Sequence, residues 1–412
     1  MSDELKLISK LANKYQLIIL TKKSEFNTIL SALKNFNLDV KVIVFKDYRN
    51  NFLTRLCESV LFYSLKSPGM PINIGKQFAL DNNKLKYVLR LIAHIFFANF
   101  PFIKPIFRCI LKYSLNYKKI EMNFTSRIDF SEKSGLFITS LSPLRGEDVL
   151  IGLLFKSKGI KVSGTIRSWD NIVQNGSLRF LPDVFVSHGE FMARSAVEMQ
   201  GMRSSRVMNS VSPSYQKKYI LPHGVKDNKI VNITYLCTGL ESNPDELNFI
   251  TWLVSKWNEF PGNFKLTILQ HPSFIINLPY NVNLNKIDII TFIYGKSSII
   301  DYYTFLKNMD LAIGVGTTAL LDAGFQGVPI LMVNFEIEPQ KYSTSGQRCF
   351  DKLFHTVNFI RKNSPCIAKN KQDLIYSILN FSKISSLDKQ SVHFFTGDPN
   401  SDLFLDIVKS LE

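Results

Sequence analysis

Five consecutive residues, Gly314-Val315-Gly316-Thr317-Thr318, have the composition of an anion site. They stand between two short apolar runs, Leu311 to Ile313 and Ile330 to Val333, each suited to a buried parallel strand. A tight glycine turn feeding a helix leaves backbone N–H groups aimed at one spot. Thr317 and Thr318 sit where N-cap hydroxyls are favoured. Gly327 fits the end of that helix, and Pro329 stops it from continuing. The guest such a turn takes is a phosphate or diphosphate. Asp322 lies one helical turn past Thr318, so it would face the same cleft and accept a sugar or ribose hydroxyl. The same pattern also serves as an ordinary βα turn closed by a capping threonine.

A second constellation is Arg167-Ser168-Trp169-Asp170-Asn171. An exposed tryptophan beside a carboxylate suits stacking on a sugar face while the carboxylate takes a hydroxyl proton. The plainer reading is that Trp169 packs under the loop and Asp170 caps it. Two further segments carry polar groups at strand ends: the loop containing Arg145, and His188-Gly189-Glu190. If one base is needed to deprotonate an acceptor, Asp170 is the first candidate, Glu190 the second and His188 the third. Arg145, Arg167, Trp169 and Asn171 would position the acceptor.

These residues need a scaffold that brings strand ends to one edge. In the first half, strand patterns at Gln16 to Leu20, Val40 to Phe45, Leu136 to Ser140, Ile160 to Ile166, Asp183 to Ser187 and around Val207-Met208 alternate with helical ones. Such alternation implies a parallel sheet, and strand-end loops then emerge on one side. A polar stretch, Lys217 to Asn228, reads as a linker. The pattern then restarts. Ile230 to Cys237 ends at Thr238-Gly239, Phe264 to Leu269 ends at Gln270-His271-Pro272, and Ile287 to Phe292 precedes the glycine turn. Gly239 and His271 thus join Gly316, Thr317, Thr318 and Asp322 as donor-side candidates. The expected fold is α/β, with two doubly wound Rossmann-like domains facing a cleft: 1–220 for an acceptor, 229–390 for a nucleotide donor, and a 391–412 helical tail packing back on the first domain.

Bulk properties agree with two domains. The chain has 412 residues, 45% of them apolar, and a formal charge of +16, with a pI near 9.4. That excess calls for a polyanionic neighbour. Five scattered cysteines without a CxxC pair argue for reduced thiols and against a zinc ribbon. No signal peptide and no apolar run of membrane-spanning length are visible. Nucleic acid is not expected as a partner, because no zinc-finger, RNP or helix-turn-helix motif occurs and the basic residues are spread out. Thr21-Lys22-Lys23, rather than GxGxxG, follows the first strand, which excludes the usual dinucleotide fingerprint. Tyr87 to Tyr117 interleaves Phe96, Phe97, Phe100, Phe102 and Phe107 with Arg90, Lys104, Arg108 and Lys112. It reads either as a surface resting on anionic lipid or as a pair of core helices.

The second half resembles the donor domain of GT-B glycosyltransferases, in which a strand, a small-residue turn and a helix hold the donor diphosphate. Gly316, Thr317 and Thr318 match that turn, and Asp322 stands where such families often have a Glu for ribose. FKLTILQHP resembles the strand-then-His-Pro of CDP-glycerol glycerophosphotransferases and Kdo-type transferases. GTIRSWDNIVQNG followed by LPDVFVSHGEFMARSAVEMQGM is similar to a bacterial surface-polysaccharide transferase pattern. The resemblance spans about Leu136 to Val333. It implies a glycosyltransferase moving a sugar from a nucleotide-activated donor to a lipid-linked or glycan acceptor in lipopolysaccharide, capsule or O-antigen synthesis. It also implies no metal and no resident cofactor, since helix N-termini and basic groups would take the place of Mg²⁺. The location implied is cytoplasmic, peripheral on the inner face of an anionic membrane. A CDP-glycerol or ribitol-type polyol-phosphate transferase, or a non-hydrolysing sugar-nucleotide 2-epimerase, is the alternative.

Overall fold

The computed structural model describes every residue except 1, 36–37, 39, 47–50, 72–73, 75–83, 127, 129, 131–133, 142–145, 167, 175, 223–229, 239–242, 244, 272–285, 293–298 and 339–352. Part of the linker stretch, together with Arg145, Arg167 and Gly239, therefore lies outside the described residues. The chain forms two compact units. One comprises Met1–Met70, Leu89–Pro213 and Phe395–Glu412; the other comprises Pro71–Val88 and Ser214–Phe394.

In the first unit, β1 (Ile18–Lys22) and β2 (Lys41–Phe45) make a parallel pair joined by the helix Phe26–Asn35. Four more strands, β3 (Gly135–Ile138), β4 (Lys161–Gly164), β5 (Val184–His188) and β6 (Val207–Ser210), form a parallel sheet in chain order. Nearly every residue of β4 and β5 is buried, as strands covered on both faces must be. The helix Leu403–Leu411 packs on all four strands. Ser163 donates to the Ser410 carbonyl at 2.5 Å, and Ser210 donates to Asp406 at 2.6 Å.

The helices Lys84–Ala98 and Ile103–Ser114 meet at 102°, and no single helix among the described residues is long and apolar enough to cross a membrane. Two of the cations that would meet headgroups in the lipid reading face inward, as the core-helix reading has it. Lys104 Nζ donates to the Met199 carbonyl at 2.5 Å. Arg108 donates to the carbonyls of Leu178 and Gln200 at 2.8 and 3.0 Å. Burial pushes the Lys104 ammonium down to about 8 and the Arg108 guanidinium down to about 10. The reason is positional: Lys104, Arg108 and Leu111 are spaced i, i+4, i+7, which is one helix face, and Leu111 is fully buried.

The second unit holds one six-stranded parallel sheet. Its strands are β7 (Val231–Leu236), β8 (Phe264–Gln270), β9 (Ile287–Thr291), β10 (Leu311–Gly314), β11 (Ile330–Val333) and β12 (Cys366–Ala368). The spatial order is β12-β11-β10-β7-β8-β9. Counted within the unit this is 6-5-4-1-2-3, the doubly wound dinucleotide-fold order, whose winding reverses between β7 and β10. The chain is thus α/β with parallel sheets throughout, as the strand–helix alternation predicts. Trp257, fully buried, anchors the core of this unit against Phe260, their rings 4.8 Å apart.

Candidate functional site

Ligands of doubly wound sheets bind at the carboxyl edge, where the winding reverses. Pairing fixes what gathers there. Gly314 lies opposite Leu236 and Met332, and Leu236 lies opposite Leu269. The residues just past these strand ends therefore line one edge: Thr238 after β7, His271 after β8, Gly316 to Thr318 after β10, and Asn334 after β11.

The glycine turn has the local form the sequence predicts. Gly316 has φ +56°, a left-handed conformation that glycine adopts without Cβ strain. Thr317 is extended and caps the helix Thr318–Phe325, its hydroxyl accepting the Ala319 N–H at 3.4 Å. Gly327, φ +75°, closes the far end, with the Val328 N–H bonded to the Ala323 carbonyl.

A second helix start meets this turn. Phe354–Asn363 begins at Leu353, which offers no side-chain cap, so the first-turn N–H groups lack that usual partner. Thr356, in its first turn, is 2% exposed. Its hydroxyl has no hydrogen-bond partner among the described residues. A Cβ placed on Gly316 would meet both the methyl and the hydroxyl of Thr356 at 3.6 Å, so this side chain abuts the bare α-carbon of the turn. Asn334 Oδ1 is likewise buried and without a partner among the described residues. Leaving a buried hydroxyl and amide oxygen unmade costs about 1–3 kcal/mol each. The Thr356 hydroxyl can donate to an anion, which the N–H groups at the two helix starts would also bind; the Asn334 Oδ1 only accepts, so it calls for a donor such as a sugar hydroxyl.

Asp322 does not belong to that anion site. Its carboxylate accepts the Tyr215 hydroxyl at 2.5 Å and the Tyr302 hydroxyl at 2.9 Å. Burial pushes the carboxyl up to about 6, with the two hydroxyl bonds opposing. Both oxygens already have donors, so the ribose-hydroxyl role gives way to an internal one. On the other side of β10, the loop after β7 is locked by fully buried Glu246. That carboxylate accepts the Thr238 N–H at 2.7 Å, the Thr238 hydroxyl at 2.9 Å and the Tyr235 hydroxyl at 3.2 Å. His271 is half-buried at the same edge.

In the first unit the structure rearranges the acceptor-side expectations. Trp169 is buried, its ring 5.4 Å from Phe191 and 5.0 Å from Phe395, so it cannot stack on an exposed sugar. Apolar aromatic neighbours on both sides simply outcompete solvent exposure. Asp170 accepts hydrogen bonds from Ser168 and from Gln174, the latter at 2.9 Å, and these fix the direction of its carboxylate. Asn171 starts the helix Asn171–Gln174, its N–H bonded to the Ser168 carbonyl. His188 is buried, with Nε2 3.0 Å from the Thr165 hydroxyl, and burial depresses its imidazole to about 4. Glu190 is exposed and ion-paired with Arg194 one turn on.

Thr356 and Asn334 are additions to the sequence-derived set. Asn334 carried a usable signal, being the first polar residue after a buried strand. Thr356 carried none, because the contact joins segments 40 residues apart in the chain (356 − 316).

No family model and no curated protein matches the chain. Among solved structures, a UDP-N-acetylglucosamine 2-epimerase is 8% identical, with a TM-score of 0.48 over 98% of this chain and 90% of that one. The UDP-GlcNAc 2-epimerase from Neisseria meningitidis bound to UDP-GlcNAc is 11% identical, with a TM-score of 0.44 over 98% and 94%. A glycosyltransferase from Rickettsia africae is 13% identical, with a TM-score of 0.45 over 99% and 90%. Likeness at this level leaves the chemistry to be argued from the site's own residues.

Proposed function

We propose that the second unit binds a nucleotide-activated sugar through its diphosphate, and that the protein is a glycosyltransferase acting on a glycan or lipid-linked acceptor. The observation that carries the donor half is the Thr356 side chain abutting Gly316 between two helix starts, its buried hydroxyl without a partner among the described residues. A diphosphate accepts from several N–H and O–H groups at once, so it would satisfy both the hydroxyl and the first-turn amides. The transfer half rests on the SWDN-containing resemblance and on a carboxylate held in place by neighbours. Asp170 is the proposed base, aimed by Ser168 and Gln174; Glu190 is its alternative. His188, enclosed by the fold, orients Thr165 instead of meeting substrate. The helix starts supply the electrostatic stabilisation of the leaving diphosphate.

Thermal denaturation in UDP, GDP, CDP, CMP and inorganic pyrophosphate tests the donor half. A ligand at 100 times its dissociation constant adds ~2.7 kcal/mol of stability. Thr356→Val keeps the branched shape and removes the hydroxyl; it should weaken the best nucleotide about tenfold while raising the unliganded melting point, because the unpaired buried hydroxyl is gone. If no nucleotide or pyrophosphate raises the melting point, the donor reading fails. Incubation with the donor alone separates the chemistries: an epimerised sugar nucleotide without acceptor would replace transfer by epimerisation. Asp170→Asn should lower transfer about 10²–10⁴-fold with nucleotide affinity unchanged.

A further inference from the structure

Two helices of this protein are amphipathic the wrong way round for a protein in water. Along Lys84–Ala98 the exposed positions include Leu85, Leu89, Ile92 and Phe96, between 54% and 69% exposed. Their spacing, i, i+4, i+7, i+11, makes one continuous stripe. Along Ile103–Ser114 and its preceding residue, Phe102, Ile106 and Tyr113 are 56%, 47% and 76% exposed and continue the same spacing, with exposed Cys109 between them. The opposite face of each helix is the buried one: His94 bonds the Tyr63 carbonyl at 2.9 Å, and Lys104 and Arg108 bond inward as described. His94, Lys104 and Arg108 thus point into the protein while the apolar stripes point out, at a density well beyond the scattered apolar residues of an ordinary surface.

We infer that these two stripes rest on an anionic lipid bilayer, with both helices lying in its interface instead of crossing it. Charge selects this occupant over a second copy of the chain. Between Asp81 and Glu121 there is no acidic residue, whereas the same stretch carries Lys84, Lys86, Arg90, Lys112, Lys118 and Lys119, of which all but Arg90 are exposed. Two such faces brought together would bury like charges, while an anionic headgroup layer neutralises them. Length fits too. The helices have 15 and 12 residues, short of the ~20 that a span requires, and their 102° bend permits both axes to lie in a single plane.

Flotation with the full chain tests this, using phosphatidylcholine vesicles with and without phosphatidylglycerol. The protein should float with the mixed vesicles at low salt and release as salt rises. Ile92→Ser, Phe96→Ser, Phe102→Ser and Ile106→Ser together change only exposed positions, so the fold survives. Each should weaken partitioning roughly tenfold. Lys112→Gln, Lys118→Gln and Lys119→Gln should each cost about fivefold on the mixed vesicles only. A tryptophan introduced as Phe96→Trp should shift to the blue on binding and be quenched by shallow brominated lipid. The inference is overturned if the parent protein ignores both vesicles. It is overturned equally if the quadruple serine variant binds like the parent, or if that variant merely turns a dimer into a monomer. None of these outcomes depends on nucleotide binding.

Discussion

Replacing Asp322 by asparagine should change how stability depends on pH in a direction opposite to most carboxylates. The carboxyl ionises at 3.8 in a free chain and at about 6 in the fold, because burial outweighs the two tyrosine hydroxyl bonds. Between those values the unfolded chain has lost a proton that the folded one keeps. Stability therefore falls as pH rises through this window. The displacement, at about 1.36 kcal/mol per pH unit, is worth about 3 kcal/mol. The contribution is fully present below 3.8, and it is gone once pH has passed through 6. The amide that replaces the carboxyl carries no charge at any pH and still offers one acceptor to Tyr215 or Tyr302. Urea titrations of parent and Asp322→Asn across pH 4 to 7, followed by tryptophan fluorescence, give the comparison. Trp252 and Trp257 report on the second unit. The stability difference between the two proteins should shift by about 3 kcal/mol across the range, in favour of the variant at the upper end. A difference that is flat with pH would mean that Asp322 is ionised in the fold throughout, with the hydroxyl bonds winning over burial.

The first unit should respond with the opposite sign. Burial depresses His188 from 6.5 to about 4, so its contribution is intact above 6.5 and falls by about 3 kcal/mol as pH drops through 4; His188→Asn should remove that slope from the fluorescence of Trp169. Gly316→Ala forces an L side chain to φ +56° at a cost of about 1–2 kcal/mol, and calorimetry should show nucleotide affinity falling further than stability, because the new methyl fills the space before Thr356. Arg108→Gln abandons the buried carbonyls of Leu178 and Gln200. It should destabilise by about 2–3 kcal/mol in urea while leaving vesicle flotation of the folded fraction unchanged.

The parallel sheets were legible because their signals are local. Runs such as Leu311 to Ile313 and Ile330 to Val333 are short, apolar and punctuated by glycine and proline, and the structure places strands on both. The glycine turn was legible for the same reason, down to the Thr317 cap. Side-chain direction was not. Trp169 looks like a sugar platform until Phe395, more than two hundred residues later in the chain, is seen against its ring. Asp322 looks like a cleft acceptor until Tyr215 and Tyr302 claim it. Lys104 and Lys112 are equivalent in a list of basic residues, yet one is tied to a backbone carbonyl and the other is exposed. Each of these outcomes is decided by a partner distant in sequence, which pattern reading does not supply.

The helix Leu403–Leu411 lies across β3, β4, β5 and β6, and this has a consequence for how the chain is made. The last of those strands ends at Ser210 and the helix starts at Leu403, so roughly 190 residues separate the sheet from its cover. A ribosome adding about 5–20 residues per second takes on the order of 10 to 40 seconds to deliver it. During that interval the whole six-stranded sheet of the second unit is synthesised and free to fold, while the first unit waits with one sheet face bare. The order of completion is thus the reverse of the order of synthesis. A chaperone that shields apolar sheet surface would find its substrate in the nascent first unit and lose it when the final helix docks.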